Sequence, residues 1–195
     1  CVLRIPCGTD PNKARSSSAS YEDNAAVLSL QAIKQTSVCS TTNKPEAWVG
    51  SDADVLHTVT PGSEEYNKIA QLFEPYLSNT LSVCGITRVQ NTKLWEQYMN
   101  HRRYLYERSN SEIGKVPDDY ERVLFHGTSE DTVCKIAKNG FNRSFASSKN
   151  GSVYGKGCNF AVEPSYSLQT HYARPNKDKV QYVFVAKVLT GEVCL

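Results

Sequence analysis

The chain has 195 residues, of which 39% are hydrophobic and 22% charged, enough for one globular domain with a real core. A net charge of +2 gives no electrostatic case for nucleic acid or for a membrane surface, and no apolar run approaches the length of a membrane span. Seven cysteines, an odd number with no CxxC spacing, argue against a disulfide framework and against a zinc site. Scattered single thiols fit a reducing compartment, so the expected setting is intracellular, cytoplasmic or nuclear.

Taken in chain order, residues 8–24 are rich in Ser, Asn, Asp, Gly and Pro and read as a flexible linker. Residues 25–38 read as a short helix with weak periodicity. Trp48, after Lys44-Pro45-Glu46, is expected to open the folded domain. Residues 55–59 read as a strand closed by Pro61-Gly62. Ser63 is a candidate N-cap, with Glu64 and Glu65 in the favoured first turn. Tyr66, Ile69, Ala70, Phe73 and Leu77 then share one helical face, and Pro75 roughens its end.

Residues 81–89 read as a strand. A second helix follows, capped by Asn91 or Thr92, with Leu94, Trp95, Tyr98, Met99 and Leu105 as an apolar stripe for core packing. His101, Arg102 and Arg103 read as its solvated face. Residues 109–120 form a polar connection. Val123-Leu124-Phe125 reads as a short buried strand ending at His126, and a helix runs over residues 129–138 to its stop at Asn139-Gly140. Residues 181–189 give the clearest strand of the chain. The whole is predicted to be α+β.

His126-Gly127-Thr128 stands where strand passes to helix. A ring nitrogen and an approachable backbone meet there, which suits a ligand with both donors and acceptors, such as a ribose hydroxyl and a carboxamide. A lone histidine at such a corner would be an ordinary satisfied polar residue, and the His-Gly-Thr triplet alone is weak. Further blocks follow in order: Gly140-Phe141-Asn142-Arg143-Ser144, Tyr154-Gly155-Lys156-Gly157, Phe160-Ala161, Ser165-Tyr166-Ser167 and Val188-Leu189-Thr190-Gly191.

Together with Leu124-Phe125-His126-Gly127-Thr128, this ordered set resembles the catalytic domain of the poly(ADP-ribose) polymerase superfamily, and its mono-ADP-ribosylating branch in particular. The resemblance covers residues 44–195, the expected catalytic domain. Residues 1–43 are expected to be a linker or the end of an upstream module, partly disordered. The implied fold is the ADP-ribosyltransferase fold, with split, antiparallel-rich sheets and flanking helices. The chain opens on Cys1 rather than Met and stops at Leu195, so it reads as a piece of a longer product with the last strands of that fold missing.

The resemblance implies that NAD+ is the substrate, that acceptor proteins are partners, and that no metal is needed, because nicotinamide already leaves as a neutral ring. It implies that His126 binds a hydroxyl of the adenosine-side ribose and that Gly127 offers its N–H and C=O to the nicotinamide carboxamide. Ser167 and Tyr172 lie eight and thirteen residues after position 159, as in mono-transferase members. Ser167 would bond the same amide, Tyr172 would stack on the ring, and Tyr154 would add a wall to the pocket. Arg143 is a candidate for the pyrophosphate beside Lys156, although a basic residue just past a helix is commonly solvated.

Two departures stand out. Asn159 occupies the place where the family carries a catalytic tyrosine, and the family's third catalytic position lies beyond Leu189-Thr190-Gly191. The alternative reading is therefore a catalytically impaired member of the same fold that binds a partner. A thiol hydrolase using Cys134 or Cys158 with His126 rests on residue types alone.

Overall fold

The computed structural model describes residues 1–6, 44–50, 55–77, 82–108, 120–142 and 157–190. The predicted linker at 8–24, the helix at 25–38 and nearly all of the 109–120 connection lie outside the described residues. So do Arg143, Tyr154 and Lys156. Five strands form one antiparallel sheet: β1 (Val2–Pro6), β2 (Leu56–Thr58), β3 (Gly85–Val89), β4 (Glu121–Thr128) and β5 (Val180–Leu189), in the order β2-β3-β1-β5-β4. With its flanking helices the architecture is α+β, and among the described residues the strands make a single sheet rather than split ones.

The first strand is the main departure from expectation. Residues 1–43 were expected outside the folded domain, yet Val2–Pro6 is the middle strand of the sheet. Leu3 sits in register with Ile86 on one side and Val183 on the other, and all three are fully buried. That row of aliphatic side chains is the centre of the core, with Ile5, Phe125 and Val185 around it.

Helix α1 (Glu64–Gln71) and the 3-10 turn at Glu74–Tyr76 cover this face. Ser63 caps α1 as predicted, its Oγ accepting the Tyr66 N–H at 3.2 Å. Tyr66 Oη donates to the Val83 carbonyl at 3.0 Å, which ties α1 to the entry of β3. Phe73 is fully buried and meets Phe125 edge-on, with centroids 5.4 Å apart. The opposite face carries Val2, Tyr182 and Phe184 under helix α3 (Glu130–Asn139), which buries Val133 and Ala137. Gly140 ends α3 at φ 74°, a conformation that side chains other than glycine rarely adopt.

Helix α2 (Thr92–Arg108) lies between these elements in sequence. Asn91 Oδ1 accepts the Leu94 N–H at 3.1 Å, while its Nδ2 donates to the carbonyls of Ala137 and Lys138 at 3.0 Å each. One side chain thus caps the start of α2 and satisfies the end of α3. Arg102, expected in solvent, instead donates through Nε to Glu121 at 2.8 Å, and Lys187 reaches the same carboxylate at 3.2 Å. Burial pushes the Glu121 carboxyl up, but the nearby Tyr98 hydroxyl, the hydrogen bond from Arg102 and the charge of Lys187 outweigh it and hold it below its usual range.

Boundaries shift elsewhere for local reasons. β2 is shorter than predicted. β4 continues two residues past His126, because Gly127 and Thr128 still pair with Val183 and Tyr182. A one-turn helix, α4 (Pro164–Ser167), is unpredicted; four residues carry no apolar period to read.

If β1 belongs to this folded unit, Leu3→Ala will lower unfolding free energy by about 2–5 kcal/mol, the usual cost of emptying a packed aliphatic site. Chemical denaturation monitored by circular dichroism checks this. A midpoint unchanged from the parent would remove β1 from the core.

Candidate functional site

Among the described residues β4 is an edge strand of the sheet, and the predicted site is built around its end. Because side chains alternate along a strand, neighbours point to opposite faces. His126 stands in register with Phe184, on the α3 face, and Gly127 with Val183, on the α1 face. A strand ending at His126 would not fix this division; the extra two residues of β4 do.

On the Gly127 side, α4 and the turn after it come down onto the sheet. A Cβ built at Gly127 would stand 2.2 Å from the Ser167 carbonyl oxygen and 3.0 Å from the Ala173 nitrogen. Only the missing side chain lets these backbones meet. Ser167 is 3% exposed and Ala173 is fully buried.

The outer edge of β4 is partly paired. Phe125 donates its N–H to Ala161 O at 2.9 Å and accepts the Ala161 N–H at 2.8 Å. In an antiparallel ladder, residues two apart send their peptide groups to the same side. The N–H and C=O of Gly127 therefore face the same outer edge as those of Phe125, one step beyond the Ala161 bridge. A donor and an acceptor so spaced complement a primary carboxamide.

On the other face, the His126 ring is half-buried between Phe141, edge-on at 5.2 Å, and Phe160 at 5.6 Å. Its Nδ1 lies 2.8 Å from the Asn159 carbonyl oxygen. A carbonyl can only accept, so Nδ1 carries the proton and the Nε2 of the neutral ring is an acceptor. Burial pushes the imidazole pKa below its ordinary 6.5, against an opposing pull from the Asn159 carbonyl. The ring is accordingly neutral at pH 7. Asn159 acts on it through its backbone, while its own side chain is exposed.

Tyr172 sits next to Ala173 in the turn above Gly127, its N–H donating to Gln169 O at 2.9 Å. Its ring lies 4.9 Å from that of Tyr166 and 3.8 Å from that of His171, and the two tyrosine hydroxyls are 2.5 Å apart. Of the predicted residues, the structure gathers His126, Gly127, Ser167 and the Tyr172 turn around one strand end, with Asn159 joined through its carbonyl.

Sequence reasoning gave no role to Phe141, Phe160 or Tyr166, although each lies inside a recognised block, and none to the buried Gln181. The thiol reading loses ground here: burial pushes the Cys158 thiol up, which leaves it a poor nucleophile, and the His126 Nδ1 is engaged by Asn159. Among the described residues, no cluster of His, Cys, Asp and Glu could hold a metal ion.

Comparison with known proteins points the same way. Residues 63–195 match the family described as poly(ADP-ribose) polymerase catalytic domain. The chain is 36% identical over 131 residues to human protein mono-ADP-ribosyltransferase PARP14, covering 67% of this chain and 7% of that protein. It is 35% identical over 140 residues to mouse protein mono-ADP-ribosyltransferase PARP10, covering 70% of this chain and 14% of the relative. Human protein mono-ADP-ribosyltransferase PARP12 is 36% identical over 135 residues, 69% of this chain and 18% of its own length. The chain thus spans less than a fifth of each of these relatives.

Two outcomes follow from the geometry. Gly127→Ala forces a Cβ into the Ser167 carbonyl and should cost about 1–3 kcal/mol of stability, read by thermal melting; a neutral substitution would mean α4 does not press on β4. For His126 the folded pKa lies below the unfolded one, so the unfolded chain binds more protons between the two values and stability rises with pH there. Its contribution is complete above 6.5 and is lost as pH falls below that value. Melting temperatures between about pH 5 and pH 8 should fall more steeply on the acid side for the parent than for His126→Gln. Identical slopes would place the imidazole in solvent.

Proposed function

The chain belongs to the poly(ADP-ribose) polymerase catalytic domain family, and from that premise we propose that it transfers single ADP-ribose units from NAD+ to side chains of acceptor proteins, releasing nicotinamide. The observation that carries this reading is the outward-facing peptide group of Gly127 beneath the Ser167–Tyr172 segment. In this reading the carboxamide of nicotinamide bonds the Gly127 N–H and C=O. Ser167 adds a hydroxyl contact, and Tyr172 covers the ring. His126 accepts a hydroxyl of the adenosine-side ribose at Nε2, on the other side of the strand.

The chemistry asked of the protein is modest. Nicotinamide departs as a neutral ring, and the anomeric carbon it leaves becomes cation-like. The site must hold the dinucleotide at both ends and must not oppose that positive charge. A neutral imidazole meets the second condition where an imidazolium would not. That the relatives PARP14, PARP10 and PARP12 are mono-ADP-ribosyltransferases supports transfer of single units. The acceptor's own carboxylate would then assist the step. We place the reaction inside the cell, in keeping with the scattered cysteines.

A second reading is favoured by one observation: the Asn159 side chain is exposed, and the residue engages His126 only through its carbonyl. The place where the family carries a tyrosine then offers no ring face, and the domain would bind a partner or ADP-ribose without turnover. Incubation of the full chain with labelled NAD+ separates the two. The transferase reading expects label on protein, lowered about 10–100-fold by His126→Ala, the worth of one charge-free site hydrogen bond with its orienting effect. Label appearing only after Asn159→Tyr would favour the binding module.

A further inference from the structure

Gln181 is the first polar residue met on β5 and is only 6% exposed, an unusual place for an uncharged amide unless its bonds are satisfied. It pairs in register with Ile5 and lies on the same face of β5 as Val183, under α4 and the turn that follows. Its Nε2 donates to the Leu168 carbonyl at 2.7 Å and to the Ala173 carbonyl at 2.8 Å. Both bonds are short, and one amide group therefore closes the two ends of the segment 168–173.

The positions of the two acceptors matter. Leu168 directly follows Ser167, and Ala173 directly follows Tyr172. Each carbonyl held by Gln181 thus belongs to the immediate neighbour of a residue proposed to grip nicotinamide. Between them the turn is closed by Tyr172 and Ala173 donating their N–H groups to Gln169 O, at 2.9 and 3.0 Å. The outer ring contact of Tyr172 with Tyr166 is exposed, whereas the Gln181 amide is a buried anchor that joins this turn to the sheet beside the close approach of Ser167 to Gly127. His126 lies on the opposite face and shares none of these bonds.

We propose that Gln181 is a positioning residue: by bonding both ends of the 168–173 turn it sets the height of Tyr172 and Ser167 above Gly127, and so the affinity for the nicotinamide end of the dinucleotide. The inference rests on the nicotinamide roles proposed above for Ser167 and Tyr172. Gln181 itself touches no substrate. A residue that merely supported the fold would weaken all ligands together, whereas this one separates the two ends of NAD+.

The test compares Gln181→Met, which keeps the length of the side chain and removes the donor, with the parent in the full chain. Titration calorimetry with NAD+ and with ADP-ribose, which lacks nicotinamide, reads the two ends separately. The expected result is a loss of NAD+ affinity of about tenfold or more, with ADP-ribose affinity held within about twofold, since two hydrogen bonds are removed at one end only. Equal changes for both ligands, or none, overturn the proposal. Should the Met variant fail to fold, Gln181→Asn keeps the amide one methylene short of both carbonyls and must give the same selective loss.

Amide hydrogen exchange without any ligand supplies an independent arm. Exchange should quicken over residues 168–173 and stay unchanged in the interior of β4 and β5; an unaltered turn overturns the proposal. If the parent chain binds no NAD+ at all, the transferase reading fails, and the anchoring role of Gln181 is then decided by exchange alone.

Discussion

The approach of the Ser167 carbonyl to Gly127 is the contact on which the site depends. It brings a one-turn helix within van der Waals range of a strand backbone, closer than any side chain would permit. Three things follow from it. The turn carrying Tyr172 is held low over the sheet edge. The peptide group of Gly127 faces outward beneath that turn. And the alternation of the strand sends His126 to the far face, so one short length of chain presents polar groups on both faces of the sheet, as the proposed binding of a long ligand requires. The edge position of β4 among the described residues matters equally, because an interior strand would spend those same backbone groups on a neighbour.

The electrostatics suit the same arrangement. His126 is walled by Phe141 and Phe160 and anchored by one carbonyl, a setting that favours the uncharged ring. Its tautomer is decided by the Asn159 carbonyl, and any residue at position 159 presents one. This explains how asparagine can replace a tyrosine there without disturbing the imidazole. What such a replacement removes is an aromatic surface, a loss of about 0.5–1.5 kcal/mol in stacking beyond simple burial. The carbonyl that holds the imidazole and the side chain that the replacement changes are thus different parts of the same residue.

Much of this was legible in the sequence, for identifiable reasons. The helix starts at Ser63 and Asn91 and the stop at Gly140 follow from capping chemistry that is local and strong. β5 announces itself by an apolar run. That His126, Gly127, Ser167 and the Tyr172 turn come together was expected from spacing that resembles a family's, and the structure does place them around one strand end. β1 was not legible, because five residues followed by a polar stretch give no period, and the strands that flank it lie eighty or more positions away. Arg102 was taken for a surface residue because its partner Glu121 lies on another element. The Asn159 carbonyl has no sequence signal at all, since every residue has one. Gln181 looked like the ragged start of an apolar strand; its meaning lies in the turn that folds over it.

The most direct measurement is a crystal structure of the chain with nicotinamide or a non-reactive NAD+ analogue. The carboxamide should be bonded to both the N–H and the C=O of Gly127, with the ring against Tyr172 and the far ribose at His126 Nε2. A ligand seated away from the β4 edge, or a dinucleotide bound with its ends exchanged, would contradict this placement.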